Sequence, residues 1–228
     1  MTKLCRFLSK TAETETNVSA HQIARAAARL FAAQGYDATP VRAICEAAGV
    51  TKPTLYYHFG NKEGLGKALL TDPLTAQLAR LHTIFSTDEP PILQLQASFA
   101  QHFAFFREDP DRGRFLYAMW FGPLASKLSA ELGEFAHQFD SVMLGATQRL
   151  ADVGVIDHSR ATACFMACKG LVVAYTLDHL YRGIELDAEL PARLVHDVID
   201  GFRTASPTGV SGDLNLCVPT SFSEGFDQ

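Results

Sequence analysis

The chain has 228 residues, enough for one large or two modest domains with a real core. At 47% hydrophobic and 20% charged it has the make-up of a soluble globular protein, and no apolar run approaches the roughly 18 residues needed to span a bilayer. The net charge of −5 argues against a nucleic-acid partner when taken whole, but it is unevenly spread: nine Lys/Arg face five Asp/Glu up to Lys67, a balance of +4, and the remainder carries −9. That split suits a basic head on an acidic body, and equally a chance segregation of charge.

Residues 1–18 hold basic side chains but neither an apolar stretch nor a small-residue cleavage site, so they are expected to form a flexible arm and not a signal peptide. The sequon Asn17-Val18-Ser19 has no consequence without secretion. Cys5, Cys45, Cys164, Cys168 and Cys217 form no CxxC pair, as expected of reduced thiols in a cytoplasm.

Ser19 can cap a helix running to about Gln34, with Ile23, Ala27, Leu30 and Phe31 on one face and Gly35 just past its end. Thr39 is placed to cap a second helix, with Pro40 in its first turn and Ile44, Ala47 and Ala48 inward. Gly49 can take the left-handed turn that follows. Thr51 caps a third helix, with Pro53 in its first turn; Leu55 and Phe59 anchor it and leave Lys52, Thr54, Tyr56 and His58 outward.

A helix then runs from Asn61 toward Leu70 and breaks at Thr71-Asp72-Pro73, with apolar spacing resuming at Leu74, Leu78 and Leu81. Residues 86–91 predict a loop. Residues 92–107 predict a strong helix, with Phe99, His102, Phe103 and Phe106 along one face. The segment 108–113 predicts a turn, and Arg114–Phe121 a helix that stops near Gly122-Pro123. Further helices are predicted over 126–152, 158–182 and 188–204, and residues 206–228 look like a mobile tail. No alternating strand pattern or internal repeat is present, so the class is all-α.

Two short helices joined at Gly49-Val50, the second carrying a dense polar and aromatic outer face, fit a helix-turn-helix, whose second helix enters the major groove. Lys52 and Thr54 are donors for base edges or nearby phosphates; Tyr56, Tyr57, His58 and Lys62 can grip flanking phosphates, as can Arg42. The orphan N–H groups at the helix starts near Thr39 and Thr51 can also face phosphates. A trihelical packing unit with a solvated polar face suits the same pattern.

Residues 19–67 also carry Leu30-Phe31, Gly35-Tyr36, Thr39, Ile44, Ala47-Ala48-Gly49-Val50, the run Thr51-Lys52-Pro53-Thr54-Leu55-Tyr56-Tyr57-His58-Phe59, then Asn61-Lys62-Glu63 and Leu65. On these residues the segment resembles the N-terminal DNA-binding domain of the TetR family of bacterial transcriptional regulators. The resemblance implies DNA contacts at Thr39, Arg42, Thr51, Lys52, Pro53, Thr54, Tyr56, Tyr57, His58 and Lys62. It also implies a homodimer and an effector pocket in the body. Cys45 stands where such proteins usually have Ala, which suggests either a redox switch or a buried thiol standing in for Ala.

The expected organisation is a helix-turn-helix domain over residues 19–66 and a larger helical effector-binding and dimerisation domain over residues 67–205. Ala163, Ala167, Gly170 and Ala174 make a small-residue stripe, and Leu194, Val195, Val198, Ile199 and Phe202 an apolar one. By the resemblance, helices near 158–182 and 188–204 pair with their copies and set two recognition helices one DNA turn apart; both stripes equally suit packing within one chain. Aromatic and sulfur side chains of the middle region, Phe99, Phe103, Phe106, Phe115, Tyr117, Met119, Trp120, Phe121, Phe135, Phe139, Met143 and Tyr175, are candidates to line an apolar pocket, with His102, His137 and Asp178 as the polar contacts to test. Each also suits plain core filling.

Cys164 and Cys168 lie one helical turn apart, but no His or Cys cluster completes a metal site. Gly60 and Gly66-Lys67 are one residue too far apart for a phosphate-binding loop, Gly64-Leu65-Gly66 lacks a third glycine, and Trp120 stands where a calcium loop beginning at Asp109 needs Glu. No catalytic constellation and no cofactor are expected. The leading expectation is a cytoplasmic, ligand-responsive regulator, a repressor, that binds a palindromic double-stranded operator as a homodimer, is released by a small apolar effector, and has no membrane partner. The alternative is a ligand-independent DNA-binding protein whose body docks another protein.

Overall fold

The computed structural model describes the backbone over residues 3–122 and 127–203, and side chains over residues 18–122, 128 and 130–203. The expected tail at 206–228 lies outside the described residues. The described residues are all-α, with one isolated antiparallel bridge between Ile156 and Arg203.

The head comprises α1 (Lys3–Gln34), α2 (Val41–Ala48), α3 (Lys52–Phe59) and α4 (Lys62–Leu69). The body comprises α5 (Thr71–Phe85), α6 (Pro91–Glu108), α7 (Pro110–Trp120), α8 (Lys127–Asp152), α9 (Ala161–Arg182) and α10 (Leu190–Phe202), with a single 3-10 turn at His158–Arg160. Two expected boundaries shift. The backbone of α1 is helical from Lys3, where an arm and a cap at Ser19 were expected; no Gly or Pro interrupts the chain before Gly35, so nothing in its backbone chemistry stops the helix earlier. The turn expected over 108–113 shrinks to Asp109, which caps α7 by accepting from the Arg112 N–H at 3.0 Å, with Pro110 in the first turn.

One apolar core runs from head into body. Ile23, Ala27 and Phe31 of α1 meet Ile44 and Cys45 of α2, Leu55 of α3 and Leu65 of α4, and continue into Phe115 of α7 and Leu128 of α8. Phe31 packs on Phe115 with centroids 4.9 Å apart, so an aromatic pair joins α1 to α7. Ala47, expected inward, is exposed, and Cys45 fills that side of α2. A second core packs α6, α8, α9 and α10 around Phe99, Phe103, Cys164, Val195 and Ile199.

Close approach fixes two helix crossings. A Cβ on Gly113 would sit 2.7 Å from Phe106 Cδ1 and 3.0 Å from Leu180 Cδ2, so α7 touches α6 and α9 only because that position is glycine. A Cβ on Gly66 would sit 3.0 Å from both Leu128 Cδ2 and Tyr36 Cε2, which brings α4 against α8. The same seam carries an ion pair of 2.7 Å from Lys67 to Glu131.

Candidate nucleic-acid interface and body cavity

The turn between α2 and α3 is built as its residues demand. Gly49 ends α2 at φ 67°, and the Val50 N–H reaches back to the Cys45 carbonyl at 3.0 Å. Thr51 then caps α3: its hydroxyl accepts from the Thr54 N–H at 3.4 Å and lies 2.9 Å from the Thr54 hydroxyl. Leu55 is fully buried and Phe59 packs on the same core, holding α3 by one side. The opposite side is open: Tyr57 is 78% exposed and Tyr56 45%, with Thr51, Lys52 and Pro53 exposed beside them. Two large aromatic side chains left in water by an eight-residue helix are costly unless another surface covers them.

Past α3, Gly60 turns the chain at φ 72°, and Asn61 caps α4 by accepting from the Gly64 N–H at 2.8 Å. Lys62 reaches back to the Asp37 carbonyl at 3.2 Å and sits 4.7 Å from the centre of the Tyr36 ring, so its ammonium is held at the head's edge; partial burial lowers its pKa. Arg42 is exposed and spans one turn of α2 to Glu46 at 2.7 Å. An exposed pair of this kind contributes little to stability and is readily exchanged for a phosphate.

Thr39 departs from expectation. It is fully buried, its hydroxyl donates to the Gly35 carbonyl at 2.7 Å, and the residue preceding α2 is Pro40 with no side-chain cap. The carbonyls left open at the end of α1 claim its hydroxyl, so Thr39 clamps the head from inside and offers no side chain to a groove.

In the body, α5 to α9 enclose a cavity of about 350 Å³. Its wall is mostly apolar: Leu74 and Leu81 from α5, Phe99 and Phe106 from α6, Trp120 from α7, and Phe135, Phe139 and Met143 from α8. At one end His102 is 3.1 Å (Nε2) from the Thr176 hydroxyl, which itself donates to the Val172 carbonyl at 2.7 Å. Burial pushes the His102 pKa down to about 3, so the ring stays neutral, and pushes the Tyr117 phenol beside it up to about 12. At the solvent edge Lys169 pairs with Asp140 at 2.6 Å.

Residues 23–69 match the family model described as bacterial regulatory proteins, tetR family. The chain is 34% identical over 89 residues to the HTH-type transcriptional repressor KstR2 of Mycobacterium tuberculosis, a stretch covering 39% of this chain and 44% of that protein. It thus spans less than half the length of that relative. The solved ketosteroid transcriptional regulator KstR2 of M. tuberculosis superposes with a TM-score of 0.66 at 19% identity, over 81% of this chain and 95% of that one. FadR of Bacillus subtilis, solved with stearoyl-CoA, gives 0.62 at 18% identity, over 80% and 99%. Over residues 23–69 the chain is similar to the TetR family of bacterial regulatory proteins. At these identities the two structures show a shared fold.

The ten residues expected at DNA divide. Thr51, Lys52, Pro53, Tyr56 and Tyr57 share the exposed side of α3, Thr54 and His58 are half-buried beside them, and Arg42 and Lys62 flank them; Thr39 alone is withdrawn. Of the body residues expected in a pocket, Phe99, His102, Phe106, Trp120, Phe139 and Met143 line the cavity. Phe103 does not; it is buried in the second core. His137 is exposed on α8, Tyr175 packs on the second core away from the cavity, and Asp178 pairs with Arg182 at 3.0 Å. Tyr117, Phe121 and Phe135, expected with the other aromatics, also line it, whereas Phe115 and Met119 pack in the first core; the Asp140–Lys169 pair lines it without having been expected.

The two expected dimer stripes also part. Ala163, Gly170 and Ala174 on α9 are exposed, together with Met166, but Leu194, Val195, Val198 and Ile199 of α10 are buried in their own chain. α10 turns its polar side outward instead. Residues 158–182 are also the one described stretch long and apolar enough to cross a membrane by length and composition, where no such run was expected; its Cys164, Cys168 and Val172 face the chain's own core. Cys45 is buried too, and burial pushes its thiol pKa up, which suits a small packing group better than a switch. Among the described residues no group of three His, Cys, Asp or Glu is placed to hold a metal ion.

Proposed function

We propose that this chain is a ligand-responsive TetR-family repressor that binds a palindromic operator as a homodimer in the cytoplasm and leaves DNA when a small apolar molecule occupies the body cavity. The observation that carries the reading is the pairing of an open aromatic and basic face on α3 with an apolar cavity whose walls, α7 and α8, are also the helices that touch α1 and α4. Lys52 and Thr54 meet base edges, Thr51 and Pro53 set the start of the helix against the backbone, and Arg42, Tyr56, Tyr57, His58 and Lys62 hold phosphates. KstR2 is named a repressor and FadR was solved with stearoyl-CoA, which supports repression and a lipophilic effector here.

The dimer forms through the exposed small-residue side of α9, with the polar outer side of α10 at its border. An effector that favours a body shape whose heads no longer match the half-site spacing needs a differential affinity of about 1–3 kcal/mol to release DNA. The cavity supports this over a ligand-independent docking protein. The test measures operator binding by anisotropy while a lipophile is titrated and cavity occupancy is followed by Trp120 emission. Release that tracks occupancy supports the reading; occupancy with DNA still bound supports the docking alternative.

A further inference from the structure

The cavity wall specifies the chemistry of what enters it, on the reading that the cavity is the effector site. The Thr176 hydroxyl spends its proton on the Val172 carbonyl at 2.7 Å, a common helix arrangement. Its contact with His102 Nε2 at 3.1 Å therefore has His102 donating, which leaves Nδ1 as a bare acceptor. The ring is fixed by Phe106 at 4.8 Å and Phe139 at 6.5 Å. His102 is among the cavity-lining residues, so its ring stands at the cavity wall. The Tyr117 phenol stays protonated and hydrogen-bonds Thr176, donating to it because that hydroxyl's own proton is already spent.

The charged groups of the wall are Asp140 and Lys169, and they neutralise each other at 2.6 Å. Lys169 lies seven residues before Thr176 on α9, about 10 Å along the helix. An anion placed at the His102 end meets a neutral ring, a phenol and hydrocarbon, with no cation to offset its lost hydration.

We infer that the effector is an uncharged lipophile carrying a hydroxyl group, seated with that hydroxyl between His102 and Tyr117, donating to His102 Nδ1 and accepting from the phenol in place of Thr176. Trp120 is the sole tryptophan of the chain and lines the cavity, so its emission reports binding directly.

The experiment titrates the full-length protein with 1-decanol, 1-chlorodecane and decanoate, following Trp120 emission. The alcohol is expected to bind at least about ten-fold more tightly than the chloride or the carboxylate. Tyr117→Phe, which keeps the ring and removes only the hydroxyl, and His102→Phe should each shrink that preference several-fold while the chloride's affinity holds. Equal binding of alcohol and chloride, tightest binding by decanoate, or a preference unmoved in both variants overturns the inference and leaves the cavity reading intact. No emission change with any probe overturns both.

Discussion

Tyr57 and Thr39 sit in one small head and are expected to fail in opposite ways. Tyr57 is mostly in water and supports nothing beneath it, so Tyr57→Ala should leave the melting temperature within about a degree of wild type and weaken binding to every duplex. Thr39 is buried and bonded to the Gly35 carbonyl, so Thr39→Val should cost about 1–2 kcal/mol in urea unfolding while DNA affinity of the folded protein is retained. His102 gives a pH signature. Its pKa falls from the ordinary 6.5 to about 3 on folding, so below pH 6.5 the unfolded chain takes up a proton that the folded one refuses. Stability contributed by the neutral ring is complete above pH 7 and is lost as pH falls, by about 2 kcal/mol at pH 5. Unfolding free energies measured from pH 7 to pH 5 should decline in wild type and decline less in His102→Phe.

The junction of α3 and α4 sets where the recognition surface stands. A Cβ on Gly64 would lie 2.1 Å from the Phe59 carbonyl oxygen, a backbone atom that no rotamer change can move. Gly64→Ala should therefore destabilise the head by about 1–3 kcal/mol and shift α3, lowering DNA affinity even where the protein is folded. Gly133 of α8 has open space around its Cβ position, so Gly133→Ala should instead stabilise by about 0.5–1 kcal/mol, and thermal melts of the pair check the contrast. These elements were largely legible in the sequence, because Gly49, Thr51, Pro53 and Asn61 are local signals that act within four residues. The α10 stripe was legible as apolar but not as to its partner, since periodicity says which side is greasy and not what covers it. The cavity was half legible: His102, Tyr117, Trp120 and Phe139 follow from aromatic density, whereas Asp140 and Lys169 meet only through tertiary packing. Thr39 was misplaced because a threonine before a helix suits a cap and an inward clamp alike.

Across the whole molecule, α7 and α8 form both the cavity wall and the seam with the head, through Phe31–Phe115 and Lys67–Glu131. On the proposed dimer the exposed small side chains of α9 meet a second copy, so Ala174→Arg should convert a dimer to a monomer in sedimentation and lose palindrome binding with its fold retained. The central claim is that α3 reads duplex DNA, and selection of genomic duplexes by the purified protein tests it most directly. The account predicts enrichment of a palindrome with half-site centres about one helical turn apart, lost in Tyr57→Ala and altered in sequence for Lys52→Ala. No enriched sequence, or the same sequence bound equally by wild type and both variants, would contradict it.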